Sequence, residues 1–172
     1  MSTKALYAGS FDPVTLGHID IIKRSSRMFD QVVIAIGHNP KKPGLFTPDE
    51  RMTLIKQACK GIKNISFKTF SGLTAEFARE EKCSILLRGL RDSQDFGFEL
   101  QLAHMNAHLE TNIDTVFIPC HQKFSSISSS LVKEIASCLA QKGDKTDGKI
   151  TAKLDGVVTP AVAKALALKF KK

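Results

Sequence analysis

The strongest constraint in this chain is a regular alternation of hydrophobic period. Lys4 to Ala8 (KALYA), Gln31 to Ile36 (QVVIAI), Ile65 to Phe70, Ser84 to Leu87 and Thr115 to Ile118 are strand-sized apolar runs. Between them the period becomes helical. His18 to Phe29 sets Ile19, Ile22, Ser26 and Phe29 along one face. Thr47-Pro48-Asp49-Glu50 supplies an N-cap, a proline at the first helical position and a glutamate three residues after the cap, and Met52, Ile55 and Ala58 continue an apolar stripe. Further helices are predicted at Thr74 to Glu81, Ser93 to His108 and Ser129 to Leu139. The order β-α-β-α-β-α-β-α-β-α predicts an α/β fold: a Rossmann-like, doubly wound, five-stranded parallel sheet with helices on both faces and right-handed crossovers.

The remaining composition agrees with one core. With 172 residues, 42% of them apolar, the chain can bury roughly two thirds of its unfolded surface, which excludes disorder and coiled coil. The longest apolar stretches, such as Val32 to Ile36, fall far short of the ~20 residues that span a bilayer. The amino terminus, MSTKALYAGSFDP, has neither the apolar stretch nor the cleavage site of a secretory signal, and a cytoplasmic location is expected. Cys59, Cys83, Cys120 and Cys138 form no C-x-x-C pair and read as reduced, mostly buried thiols. The net charge of +8 invites a nucleic-acid reading. Its distribution speaks against one, because five of those charges belong to residues 142–172 and only three to residues 1–141. No Trp and a single Tyr, Tyr7, offer little for stacking bases. Residues 1–141 therefore read as one domain. Residues 142–172 read as a lysine-rich linker, opening with KGDKTDGK, and a C-terminal helix that begins at Thr159-Pro160.

Three clusters follow predicted strands. Gly9 to His18 (GSFDPVTLGH) runs from the first strand into the first helix, where unpaired amides and the positive dipole end favour phosphate and His18 offers an N–H donor. Arg88 and Arg91 in RGLRDSQDFGFE, after the fourth strand, are suited to clamping phosphate oxygens bidentately. Phe124 to Lys133 (FSSISSSLVK) leads from the fifth strand into a helix whose hydroxyls and amides would hold a polyphosphate, although each serine taken singly reads as an N-cap. Lys133 adds charge there. Asp12 reads as ordering the turn before Pro13, and Lys41 and Lys42 as a solvated pair. His104 and His108 lie four apart without a third ligand, so no protein-held metal is expected.

GSFDPVTLGHIDII, RGLRDSQDFGFELQLAHMN and FSSISSSLVKEIA together resemble the phosphopantetheine adenylyltransferases, nucleotidyltransferases of coenzyme A synthesis, over about residues 4–139. The resemblance implies transfer of AMP from ATP to 4′-phosphopantetheine, giving dephospho-coenzyme A and pyrophosphate, with Mg²⁺. By position it implies that Ser10, Phe11, His18, Gly89, Leu90, Arg91, Glu99 and Phe124, Ser125, Ser126, Ile127, Ser128, Ser129 and Ser130 contact ATP. Ser10, Lys42, Thr74 and Arg88 are implied to contact the pantetheine substrate, and His18, Lys42 and Arg91 to serve the chemistry. It further implies a homohexamer and admits feedback by coenzyme A. Members commonly carry threonine at Ser10, tryptophan at Phe124 and an apolar residue at Thr74, and the tail after Gln141 matches poorly.

Two other functions compete. Transfer to another phosphate, such as nicotinamide mononucleotide, shares the T-x-G-H and serine-rich motifs. A basic nucleic-acid-binding module would instead use the lysine-rich tail.

Overall fold

The structure is a computed structural model and describes residues 3–39, 41, 43–141 and 147–171. Five strands, β1 (Lys4–Gly9), β2 (Gln31–Gly37), β3 (Ile65–Phe70), β4 (Ile85–Leu90) and β5 (Asp114–Pro119), form one parallel sheet in the order β3-β2-β1-β4-β5. The central register sets Tyr7 opposite both Ile34 and Leu87. The crossovers are carried by α1 (Leu16–Met28), α2 (Pro48–Ala58), α3 (Thr74–Glu80) and α4 (Ser93–Leu109). After β5 come one 3₁₀ turn (Gln122–Phe124), α5 (Ser129–Gln141), α6 (Asp147–Lys153) and α7 (Pro160–Phe170).

Because successive strand residues point to opposite faces, β1 divides its side chains between two cores. Ala5 and Tyr7 join Val32, Ile34, Ile36 and Leu87 beneath Ile19 and Ile22 of α1, Leu54 and Ile55 of α2 and Val132 and Ala136 of α5. Leu6 and Ala8 join Val33, Ala35 and Leu86 beneath Ala78 of α3, with Cys83 and Ile113. The second core is smaller, and α4 on that side leaves Phe98, Met105 and Leu109 exposed.

Local chemistry explains the boundaries. Thr47 and Glu50 form the expected capping box, with Glu50 Oε2 accepting from the Thr47 amide at 2.7 Å and Thr47 Oγ1 from the Glu50 amide at 3.2 Å. The first helix starts at Leu16 because Thr15 caps it. Strands β4 and β5 run past their apolar stretches, since Arg88, Gly89 and Leu90 continue the ladder opposite Phe117, Ile118 and Pro119.

The tail differs from its expected form. Of the segment read as a linker, residues 142–146 lie outside the described residues, whereas 147–149 open α6. Ile150, Leu154, Val158, Val162 and Leu166 are buried in the larger core, and the Leu16 amide donates to the Val157 carbonyl at 3.0 Å. The thiols also divide: Cys59 and Cys83 are buried, Cys120 is half-buried and Cys138 is exposed. Burial pushes the Cys59 and Cys83 thiols up to about 11, so they stay protonated and unreactive. Among the described residues no helix is long and apolar enough to cross a membrane.

Candidate active site

The carboxyl ends of β1 and β4 and the starts of α1 and α5 enclose a cavity of about 480 Å³. Tyr7, Gly9, Phe11 and His18 line it from the first cluster, Arg88, Gly89, Arg91, Asp95 and Glu99 from the second, and Ile127 to Ser130 from the third. A neighbouring pocket of about 300 Å³ opens between the ends of β2 and β3 and the start of α3. Gly37, His38, Phe70, Ser71 and Thr74 line it, and Arg88 stands in the wall of both spaces.

His18 is held by the helix it belongs to. It occupies the third position of α1 and completes the capping box, with its Nδ1 accepting from the Thr15 amide at 3.0 Å and lying 2.9 Å from Thr15 Oγ1. A nitrogen that accepts an amide proton carries none of its own, so the neutral ring bears its hydrogen on Nε2. Desolvation, and secondly the positive charge of Arg91, lower its pKa from 6.5 to about 4, and the ring is neutral at pH 7. Edge-on contact with Phe11 at 5.1 Å between ring centroids fixes its plane. Phe11 is itself fully buried, adopts a left-handed φ of 46° and packs edge-on against Tyr7. It is the base beneath His18.

Both arginines are engaged by carboxylates on successive turns of α4. Arg88 pairs bidentately with Glu99, its Nε donating to Oε2 and its Nη2 to Oε1 at 2.6 Å, and also reaches the Ala8 carbonyl at 3.3 Å. Arg91 donates through Nε and Nη2 to Asp95 at 2.7 and 2.8 Å. Each guanidinium is thus oriented before any substrate arrives. Glu99, expected to contact ATP, lines the cavity and accepts from Arg88 on both carboxylate oxygens.

The serine cluster is more structural than its composition implies. Ser128 caps α5, accepting from the Leu131 amide at 3.1 Å, Ser129 donates to the Pro13 carbonyl at 2.8 Å, and Ser125 donates to the Gln122 carbonyl at 2.9 Å. What the helix start offers an anion is therefore chiefly its first amides and dipole. Lys133 likewise pairs with Asp12 at 3.1 Å.

Of the expected residues, Phe11, His18, Gly89, Arg91, Glu99, Ile127, Ser128, Ser129 and Ser130 meet in the larger cavity, and Thr74 lines the smaller one. Phe124 lines an adjoining recess with Gly17, Arg91 and Cys120. Ser10, Leu90, Ser125 and Ser126 line none of these spaces. Lys42 lies outside the described residues. Tyr7, His38, Asp95 and Cys120 were not foreseen there. Tyr7 shows in sequence only as part of an apolar strand, yet the Cβ that Gly89 lacks would sit 3.5 Å from its hydroxyl. Asp95, four residues after Arg91, carries the i,i+4 signal of an ion pair.

Comparison with other proteins agrees with this geometry. A model of the cytidylyltransferase-like family matches residues 6–135, which defines the class as nucleotidyltransferase. A phosphopantetheine adenylyltransferase of Thermosynechococcus vestitus is 50% identical over 132 residues, covering 77% of this chain and 79% of its own. One from Synechococcus sp. (strain JA-3-3Ab) is 43% identical over 166 residues, covering 96% and 97%. The chain belongs to the cytidylyltransferase-like proteins and, within them, to the phosphopantetheine adenylyltransferase family. Its fold is shared with a solved nicotinic acid mononucleotide adenylyltransferase of Plasmodium falciparum, at a TM-score of 0.67 and 13% identity over 99% of this chain and 96% of that one.

Proposed function

We propose that the protein transfers the adenylyl group of ATP to 4′-phosphopantetheine, releasing pyrophosphate and forming dephospho-coenzyme A. The observation that carries the reading is the placement of Arg88 in the wall shared by a cavity of about 480 Å³ and a second pocket, so that one guanidinium can donate hydrogen bonds toward both reacting anions. Family membership supports the choice of acceptor.

A phosphate monoester has a second pKa near 6, so the acceptor arrives largely ionised and no general base is needed. The protein's task is in-line placement and charge stabilisation. Neutral His18 donates from Nε2 to the α-phosphate oxygen on which charge grows. Arg91, with the first amides of α5, receives the departing pyrophosphate, while Arg88, Thr74 and Lys42 hold the acceptor. Among the described residues no group of three or more His, Cys, Asp or Glu side chains is placed to hold a metal ion. Mg²⁺, implied by the family resemblance, would be carried by the triphosphate and would offset phosphate charge there. A homo-oligomer, a hexamer by family resemblance, is supported by the exposed Phe98, Met105 and Leu109 of α4. The reading places the enzyme in the cytoplasm.

The test is pyrophosphate release from ATP with 4′-phosphopantetheine, nicotinamide mononucleotide or no acceptor. Release is expected only with the first. Release only with the mononucleotide overturns the assignment.

A further inference from the structure

Asp12 and Arg51 are the buried charged side chains among the described residues, and neither has a place in the mechanism above. Both are buried, at 5% and 6% exposure. Asp12 Oδ1 accepts from the Phe46 amide at 2.9 Å and Oδ2 from the Leu45 amide at 3.0 Å. Arg51 Nε donates to the Phe46 carbonyl at 2.7 Å and Nη1 to the Ser10 carbonyl at 3.3 Å, and Nε lies 3.5 Å from Asp12 Oδ1. Lys133 of α5 completes the group at 3.1 Å from Asp12 Oδ2. Burial alone would raise the Asp12 pKa, but the Phe46 and Leu45 amides, then Lys133 and Arg51, outweigh it and keep the carboxylate ionised.

These contacts join three pieces of chain that no ladder joins: the loop after β1, the segment between β2 and α2, and the start of α5. At one end of the segment between β2 and α2, His38 and Asn39 line the smaller pocket, and at the other end Leu45 and Phe46 are the residues clamped. Gly44 shows how closely it is held. A Cβ there would lie 1.8 Å from Arg51 Nη2 and 2.8 Å from Asp12 Oδ2.

We propose that Asp12 and Arg51 are positioning residues for the acceptor: they moor the segment after β2 to the loop that carries the nucleotide site, and so set where the acceptor is received relative to the α-phosphate. The proposal rests on the acceptor reading given above. It assigns the pair no contact with either substrate. Its signature is an asymmetric one, because the strand ends and helix starts that frame the nucleotide cavity also have ladder and helix hydrogen bonds of their own, whereas Leu45 and Phe46 rest on these side chains.

The test uses the full-length protein with Asp12→Asn, which removes the charge and keeps the shape, and Gly44→Ala, which displaces the Arg51 guanidinium without changing any charge. Steady-state kinetics with both substrates are combined with amide hydrogen exchange. For each variant the KM for 4′-phosphopantetheine is expected to rise by about tenfold or more, whereas that for ATP changes by less than about threefold. The Leu45 and Phe46 amides exchange faster, while those of α1 keep their protection. Equal rises in both KM values, a lower kcat with both KM values unchanged, or wild-type kinetics overturn the proposal, and so does loss of cooperative unfolding in both variants, which would make the pair purely structural. If Asp12→Asn alone fails to fold, Gly44→Ala decides. Absence of wild-type activity with 4′-phosphopantetheine would count against the acceptor reading instead, and the exchange rates would still decide whether the clamp holds the segment.

Discussion

The two spaces that meet at Arg88 are built by different means. The larger is framed by termini of regular elements: the ends of β1 and β4 and the first turns of α1 and α5, whose positions follow from ladder and helix hydrogen bonds. The smaller takes its floor from the ends of β2 and β3, but Leu45 and Phe46, in the chain leading to α2, are held by one carboxylate and one guanidinium. Frames made of secondary structure tolerate side-chain change well. A segment held by two side chains does not, since removing one partner of a buried ion pair leaves the other uncompensated.

Substitutions at the shared boundary should separate the two halves. His18→Ala removes the Nε2 donor and is expected to lower kcat by on the order of 10² to 10³ with a much smaller change in ATP binding. Rapid-quench turnover together with calorimetric ATP titration checks this, and near-normal turnover contradicts the assigned role. Arg88→Met is expected to weaken both sides, with kcat/KM for each substrate down by about 10². A loss confined to one substrate would mean that the wall is not shared. The smallest effect concerns stability. His18 titrates near 4 when folded and near 6.5 when unfolded, so acidification protonates the unfolded chain first. Stability conferred by the neutral ring is complete above about pH 6.5 and is lost as pH falls toward 4. His18→Gln keeps a capping residue at the third helical position and should flatten the dependence of Tm on pH over that range by up to about ten degrees. Parallel profiles for wild type and variant would show that other groups dominate.

Most of the frame was legible in sequence because its signals are local. Period, the caps at Thr47 and Thr159, and motifs at three strand-to-helix junctions each lie within a few residues of what they specify. Helix α6 was not, since Asp147-Gly148-Lys149 has loop composition and folds because Ile150 and Leu154 find room in the core. Arg51 was invisible for the opposite reason. Its partners Asp12 and Ser10 are about forty residues away, and its one local sign is a lone arginine in register with Leu54 and Ile55 on a buried stripe. The serine run carries both of its readings, because three of its hydroxyls close turns and caps of the protein itself while Ser128, Ser129 and Ser130 line the larger cavity.

The capping box at the start of α1 has a consequence for timing. An ordinary half-exposed histidine hops between rotamers in picoseconds to nanoseconds. Here the ring cannot turn without giving up the Thr15 amide and fraying the first turn of its own helix. The direction of its N–H vector is therefore renewed on the slower clock of helix-end opening, so the donor is effectively stationary during bond making and breaking.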